Sequence, residues 1–254
     1  MCYETNARPP YPPIAGGAAT GEAFTLRSAD GTDVMAFRAL AERGTGGAGI
    51  VILPDVRGLH GFYQDLALRF ASAGVHATAF DYFGRTADTD GRGDDFDFWP
   101  HVMKTDPDTV AQDVRAAVEH VRSPEGGGAE KVFTVGFCFG GRHSFNQAGR
   151  GHGLAGVIGF YGRVTARDES DTDAPVDQVS RYECPVLGSF GGADQGIPPE
   201  SVEAFGTALD AAGIANDLKV YDGAPHSFFD RAFDQFSDEC DDAWRRMLAL
   251  IERS

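Results

Sequence analysis

The sequence predicts an α/β fold, a mostly parallel central sheet with helices on both faces and an antiparallel hairpin at its N-terminal end. Short apolar runs typical of buried strands alternate with segments of helical spacing along most of the chain. Two segments of alternating polarity precede them, on either side of the turn Ser28-Ala29-Asp30-Gly31. One apolar run ends in a glycine-flanked turn at Cys138, which is typical of a strand that passes directly into a helix.

Each element follows from its own pattern. Alternating residues predict the hairpin over Phe24–Leu26 and Val34–Arg38. The apolar runs predict strands over Gly49–Leu53, His76–Phe80, Val132–Phe137, Ala155–Phe160, Pro185–Phe190 and Leu218–Tyr221. Helical spacing predicts helices over Gly61–Ala73, Asp108–Val121, Phe139–Gln147, Pro199–Ala212 and Asp234–Arg253. Residues 81–105 predict a loop or small lid above the sheet, and residues 168–177 form a polar, acidic segment.

Length and composition limit the class of protein. We expect one domain over residues 19–254, preceded by an extension over residues 1–18, because no Pro/Ser-rich linker divides the chain. The extension lacks the basic start and apolar segment of a signal peptide, and no apolar run approaches the roughly 18 residues of a membrane helix. A soluble, cytoplasmic protein is therefore expected. The formal net charge of −16 argues against nonspecific nucleic-acid binding and against an anionic membrane surface.

The four cysteines predict neither a metal site nor a disulfide framework. They lack CxxC spacing and have no histidine in metal-site register; they are Cys2, Cys138, Cys184 and Cys240. Reduced thiols and no cofactor are the simpler expectation. Nothing in the sequence indicates an oligomeric state.

The segment GFCFGG predicts a nucleophile elbow with Cys138 at its apex. Gly136 and Gly140 are small enough to let the strand and the following helix pass closely, which pushes the apical side chain into a cleft. A helix that begins at Phe139 would place the thiol near the positive end of its dipole and favour the thiolate. A structural cysteine in a glycine-rich turn is the alternative, since free cysteines are often buried.

Two further residues complete a candidate triad. A cysteine nucleophile needs a base, and the base needs an orienting carboxylate. Asp194 follows the strand that ends at Phe190, and His226 follows the strand that ends at Tyr221. The order Cys, Asp, His, each after a predicted strand, is the order of an α/β-hydrolase triad. Taken singly, Asp194 is also compatible with a turn-capping role, and His226 with an ordinary loop histidine.

From about Phe24 to its C-terminus the chain resembles the dienelactone hydrolase family of α/β-hydrolases. The motifs that carry the resemblance are VILPDVRG, DYFGR, GFCFGG, GFYGRV, GGADQGIP and APHSFFDR. The resemblance implies an α/β-hydrolase fold in which Cys138 is the nucleophile, Asp194 the triad acid and His226 the base.

The resemblance also implies roles near the nucleophile. The backbone N–H groups of Phe139 and Val56 match the oxyanion hole, where two fixed donors stabilise the charge that develops on the attacked carbonyl. Asp55 matches an acid that interacts with the resting cysteine and is usually glutamate in the family. The shorter side chain here would lengthen or remove that contact. Tyr161 would supply an apolar wall beside bound substrate.

The substrate-binding arginines match only in part. Arg85 matches a family arginine that binds a substrate carboxylate. The second such arginine lies four residues after the histidine, where this chain has Asp230, and Arg231 follows it. Either Arg231 reaches the site through a register shift, or the substrate lacks a carboxylate. Arg142 has no counterpart in the family pattern.

These residues predict a hydrolase that cleaves a small-molecule lactone or activated ester through a Cys138 thioester. The alternatives are a thiol-based redox sensor and a catalytically silent binding protein on the same fold. A glutamine amidotransferase also uses a cysteine elbow but pairs it with a His-x-Glu motif. That motif is absent here, because Ser227 and Phe228 follow His226.

Overall fold

The fold is seen in a computed structural model that describes residues 9, 19–42, 47–87, 91–93 and 95–254. The predicted extension over residues 1–18 therefore lies outside the described residues, apart from Pro9. Among the described residues, no helix combines the length and the apolar character needed to cross a membrane.

Eight strands of the described chain form a single sheet in the order β1-β2-β4-β3-β5-β6-β7-β8. They are β1 Ala19–Arg27, β2 Asp33–Ala41, β3 Ala48–Leu53, β4 His76–Phe80, β5 Lys131–Phe137, β6 Gly156–Phe160, β7 Val186–Gly191 and β8 Asn216–Tyr221. The β1-β2 and β2-β4 pairs are antiparallel, and the remaining neighbours are parallel. The predicted fold class, with its N-terminal hairpin, is confirmed.

Seven α-helices are described alongside the sheet. They are α1 Gly61–Ser72, α2 Trp99–Val102, α3 Pro107–Arg122, α4 Phe139–Gln147, α5 Pro175–Gln178, α6 Pro199–Ala211 and α7 Ser237–Arg253. The short helices α2 and α5 lie in segments predicted as loop and acidic segment. Each carries a proline in its first turn, where the missing N–H costs nothing, but four residues are too few to show helical periodicity.

The apolar runs form strands because both faces of the sheet are covered. Along β3, Ile50 and Ile52 point into the larger core, which includes the apolar faces of α1 and α7. Val51 and Leu53 point into a second core beneath α3. Side chains that alternate between two buried faces produce a continuous apolar run rather than a polar alternation. Each fully buried aliphatic side chain contributes roughly 1.5–3 kcal/mol.

Strand order brings the candidate triad to one edge. Strands β5, β6, β7 and β8 are parallel neighbours, so their carboxyl ends lie side by side. Cys138 directly follows β5, Asp194 follows β7 and His226 follows β8. Loops at this edge of a parallel sheet are where such folds bind ligands.

Helix α4 crosses the end of β5 with almost no space between the two backbones. A Cβ atom on Gly136 would lie 1.9 Å from the carbonyl oxygen of Gly140, and a Cβ atom on Gly140 would lie 2.1 Å from that of Leu53. Because these neighbours are backbone atoms, they cannot move aside as a flexible side chain can. Both glycines are therefore required by packing.

We expect Gly136→Ala to lower the free energy of unfolding by about 3 kcal/mol or more, because its methyl group would displace α4. Urea unfolding followed by circular dichroism measures this change. The matched control is Gly206→Ala in α6, whose Cβ atom would make an ordinary contact of 3.4 Å with Leu218. That change should stabilise the protein by about 0.5–1 kcal/mol. Equal effects of the two variants would contradict the packing argument.

Candidate active site

Cys138 has a strained backbone. Its φ of 54° and ψ of −112° lie outside the regions that non-glycine residues favour. Two hydrogen bonds hold it there. The Cys138 N–H donates to the Phe160 carbonyl at 3.0 Å, and the Cys138 carbonyl accepts from the Arg142 N–H at 3.2 Å. The half-buried thiol lies at the N-terminus of α4.

His226 is oriented by Asp194. The distance between His226 Nδ1 and Asp194 Oδ2 is 2.6 Å, and the other carboxylate oxygen accepts the Gly196 N–H at 2.8 Å. The Asp194 side chain is only 5 % exposed, whereas that of His226 is 36 % exposed. A buried carboxylate on Nδ1 gives the imidazole ring a defined orientation. The Tyr161 ring packs beside the imidazole, with ring centroids 5.0 Å apart.

Two backbone N–H groups are available beside the thiol. Phe139 is the first residue of α4, so its N–H has no partner within the helix. Within the described residues, neither this N–H nor that of Val56 donates a hydrogen bond. Both residues line the cavity that contains Cys138. An oxyanion hole formed by these two N–H groups stays a prediction.

Cys138 and His226 line one cavity of about 560 Å³. Trp99 and Val102 of α2 contribute apolar surface, so the segment predicted as a lid forms part of the wall. The polar wall comes from α4 and the segment after β6, and its residues are Arg142, His143, Arg163, Arg167, Asp168, Ser170, Asp171, Thr172 and Asp173. A cavity of this size accepts a small organic molecule. No group of residues in the described chain could hold a metal ion.

Comparison with known proteins identifies the family. The model of the dienelactone hydrolase family matches residues 36–254. A protein of Escherichia coli (strain K12), provisionally assigned as a carboxymethylenebutenolidase, is 30 % identical over 91 % of this chain and 86 % of its own length. The chain belongs to the dienelactone hydrolase family.

Other similar proteins agree with this assignment. A Bradyrhizobium protein, provisionally assigned as a 2-oxo-3-(5-oxofuran-2-ylidene)propanoate lactonase, is 25 % identical over 80 % of this chain and 82 % of its own length. A crystal structure of a provisionally assigned dienelactone hydrolase from Klebsiella pneumoniae matches with a TM-score of 0.82 and 26 % identity. It covers 93 % of this chain and 100 % of that one. The fold is the α/β-hydrolase fold of this family.

The dienelactone hydrolase pattern predicts that Asp55 contacts the cysteine. In the structure Asp55 is fully buried, and its Oδ1 accepts the Arg57 N–H at 2.9 Å. Its own N–H donates to the Tyr63 hydroxyl at 2.8 Å. Tyr82 lies close to both groups: burial raises the pKa of its phenol most, and the charges of Asp55 and Cys138 add to the shift. A contact between Asp55 and Cys138 stays a prediction.

Arg85 does not reach the cavity, in contrast to the expectation from the family pattern. Its guanidinium makes two hydrogen bonds to Asp113 of α3, at 2.6 and 2.9 Å, and a third at 2.8 Å to Asp30. Asp113 is buried, and desolvation of its carboxylate favours an ion pair over an isolated charge. Arg85 therefore connects the hairpin, the loop after β4 and α3.

Arg231 also lies outside the cavity lining, and its side chain is exposed. Asp230, at the position where the family has arginine, is fully buried and accepts the Tyr161 hydroxyl at 2.6 Å. Burial raises the pKa of Asp230 well above its usual value, and the nearby charge of Asp55 raises it further. A buried acid with a raised pKa therefore stands at the position that the family pattern assigns to a cation. Tyr161 itself lines the cavity, and its contact with substrate stays a prediction.

The structure assigns roles to residues that the sequence left without one. Arg142 Nη2 pairs with Asp171 at 2.6 Å, and Nη1 donates to the Thr165 carbonyl at 3.2 Å. Arg167 pairs with the second oxygen of Asp171 at 3.2 Å. The acidic segment that the composition revealed is therefore held against α4 by arginines. His143 is buried beside them, and burial lowers its pKa to about 3, so it is neutral at physiological pH.

We expect Arg85→Met to lower the free energy of unfolding by about 3 kcal/mol, because Asp113 would be left as an unpaired buried acid. Ester turnover per folded molecule should be retained. Thermal unfolding and an activated-ester assay measure the two effects. The double variant Arg85→Met/Asp113→Leu should recover much of the lost stability, since it removes both charges. A large loss of turnover with unchanged stability would instead place Arg85 in substrate binding.

The buried Asp230 should make stability depend on pH. Above the usual pKa of 3.8 the Asp230 carboxyl loses its proton in the unfolded chain, whereas the raised pKa keeps the proton on it in the folded protein. The contribution of Asp230 to the free energy of unfolding therefore becomes more unfavourable as pH rises towards the pKa of the folded state. Asp230→Asn removes this cost. We therefore expect the free energy of unfolding of the variant, relative to wild type, to increase between about pH 4 and about pH 7. Chemical unfolding across this range measures it, with the exposed-site variant Asp222→Asn as control. A constant difference would show that Asp230 is ionised in the fold.

Proposed function

We propose that the protein hydrolyses a small-molecule lactone or activated carboxylic ester through a thioester on Cys138. His226 acts as the base, and Asp194 orients it. The observation that carries the proposal is the convergence of three features on one cavity: the strained Cys138, a histidine bonded to a buried carboxylate, and two N–H groups without acceptors in the described chain. No single one of them identifies an active site, but acyl transfer uses all three.

Acylation begins when the His226 imidazole takes the proton of the Cys138 thiol and becomes an imidazolium, and the thiolate sulfur attacks the carbonyl carbon of the substrate. The carbonyl π electrons move onto oxygen, and the oxyanion accepts hydrogen bonds from the N–H groups of Phe139 and Val56. Collapse of the tetrahedral intermediate breaks the carbon–oxygen bond of the ester. The departing alkoxide takes a proton from the His226 imidazolium, and a thioester with Cys138 remains.

In deacylation, water attacks the thioester carbon in the same site. His226 removes a proton from water as its oxygen attacks the thioester carbon, and the same two N–H groups stabilise the second oxyanion. Collapse expels the Cys138 thiolate and releases a carboxylic acid. For a lactone, the alcohol and the acid are parts of one molecule, so the product is a hydroxy acid or its tautomer.

This chemistry favours activated esters and lactones over amides. A thiolate leaves more readily than an amide nitrogen, so the tetrahedral intermediate formed from an amide would return to substrate. The names of the relatives, a butenolidase and a lactonase, support a lactone as substrate. We infer a reducing compartment such as the cytoplasm for this activity, because a nucleophilic thiol that lines an open cavity must escape oxidation.

We expect Cys138→Ala to reduce kcat/KM for p-nitrophenyl acetate by about 10³-fold or more, because the covalent route is lost. Acid-quenched intact mass spectrometry of the wild type should show one acetyl group, located on Cys138. Cys184→Ala is the matched control. Cys184 is buried outside the cavity, and burial raises the pKa of its thiol to about 12, so the control should retain both turnover and the acetyl adduct.

Two results would reject the proposal. Unchanged turnover in Cys138→Ala would exclude the cysteine as nucleophile. Reversible oxidation of Cys138 by peroxide, without any acyl-enzyme and without ester turnover, would favour the thiol redox sensor.

A further inference from the structure

We propose that Arg163 is the anion-binding residue of the cavity and that it selects substrates carrying a free carboxylate. The inference rests on the proposed hydrolase function, because the carboxylate would belong to the ester or lactone attacked by Cys138. It assigns substrate selection to a position that differs from both arginine positions of the family pattern.

Arg163 stands apart from the neighbouring arginines. Its side chain is partly buried and lines the cavity, yet in the described part of the chain it makes neither an ion pair nor a hydrogen bond. Arg142 and Arg167, which line the same wall, both pair with Asp171. A partly buried guanidinium without a partner loses hydration and gains no hydrogen bond in return. An anionic ligand would supply the missing acceptor.

The acids of this wall are already engaged. Asp171 is shared by two arginines, and Asp173 accepts from Arg150 and Asn146. Asp168 is exposed and accepts from the N–H and the hydroxyl of Ser170. Rearranging Asp171 or Asp173 to reach Arg163 would break bonds that already exist, and Asp168, which uses only its Oδ1, does not pair with Arg163. The positive charge of Arg163 is therefore left for a ligand.

Arg163 also lies next to the triad. It comes two residues after Tyr161, whose ring packs against His226. A Cβ atom on Gly196 would lie 3.3 Å from Asp194 Oδ1 and 3.9 Å from Arg163 Nη2, so the guanidinium and the triad carboxylate flank the same glycine. Asp194 forms no ion pair with Arg163, and its two oxygens are bonded to Gly196 and His226.

Neither of the two arginine positions of the family pattern places a carboxylate-binding arginine in this cavity. Arg85 is bound to Asp113 and Asp30 away from the cavity, and the second position holds the buried acid Asp230. A guanidinium can offer two parallel N–H donors that match a carboxylate, and the other two guanidinium groups of this wall already pair with Asp171.

The test compares two esters of equal length. Mono-p-nitrophenyl glutarate carries a terminal carboxylate where p-nitrophenyl pentanoate carries a methyl group. In Arg163→Met we expect kcat/KM for the glutarate to fall roughly 10- to 100-fold, mainly through KM, because a charge-assisted hydrogen bond is lost. The value for the pentanoate should stay within about twofold of wild type. Arg163→Lys keeps the positive charge but lacks the two parallel N–H donors of the guanidinium, so it should give an intermediate decrease in kcat/KM for the glutarate.

The matched control is Arg245→Met, which removes the same charge at an exposed site on α7, outside the cavity. It should leave the preference between the two esters unchanged. Equal losses for both esters in Arg163→Met, or the same loss of preference in the control, would overturn the assignment.

A binding measurement separates this inference from the hydrolase proposal. Glutaramate carries the carboxylate on an unreactive amide, and pentanamide is its neutral counterpart. NMR titration should show tighter binding of glutaramate to the wild type and loss of that difference in Arg163→Met. If neither ester is hydrolysed by the wild type, the hydrolase proposal fails, whereas Arg163-dependent binding of glutaramate still supports the anion site. Equal binding of glutaramate to both proteins would refute it.

Discussion

The candidate active site depends on the close passage of α4 across the end of β5. Because Gly136 and Gly140 have no side chains, the two backbones approach within a distance that any Cβ atom would prevent. The chain can then turn from strand to helix in one residue, and that residue, Cys138, takes the strained conformation. Hydrogen bonds from Cys138 to β6 and from α4 to Cys138 hold it in place. The thiol, the helix dipole and the N–H of Phe139 all obtain their positions from this crossing.

The rest of the site is held by the hydrogen bonds and ion pairs of its carboxylates. Asp194 uses both oxygens, one on His226 and one on Gly196, so the imidazole has a single favoured orientation. The segment after β6 carries many acids, and Arg142 and Arg167 bind it through Asp171. Ion pairs and hydrogen bonds of this kind hold the side chains of a polar wall in defined positions. Within that wall, Arg163 is the cation for which the described chain provides no counter-ion.

The chain keeps the catalytic pattern of its family but arranges the surrounding charges differently. Arg85 is present at the expected position, yet it binds a buried acid of α3 instead of facing the cavity. Asp230 stands at the position of the second family arginine, and as a buried acid with a raised pKa it accepts the Tyr161 hydroxyl. Both changes remove positive charge from the places where the family pattern expects it. The nucleophile elbow does not depend on these positions, so substrate selection and bond cleavage can change independently.

The sequence by itself determined the strand and helix order, the elbow at Cys138, and the chain order of Asp194 and His226. These features are local: burial on two faces produces apolar runs, and close backbone packing demands glycine. The sequence did not reveal the short helices α2 and α5, because a helix of four residues contains too few positions to show a repeating apolar pattern. Only the tertiary structure decided the partners of the arginines. Arg85 forms an ion pair with Asp113, and Arg142 forms one with Asp171, whereas Arg163 pairs with neither acid. These partners come from distant segments of the chain, so no local sequence pattern indicates them.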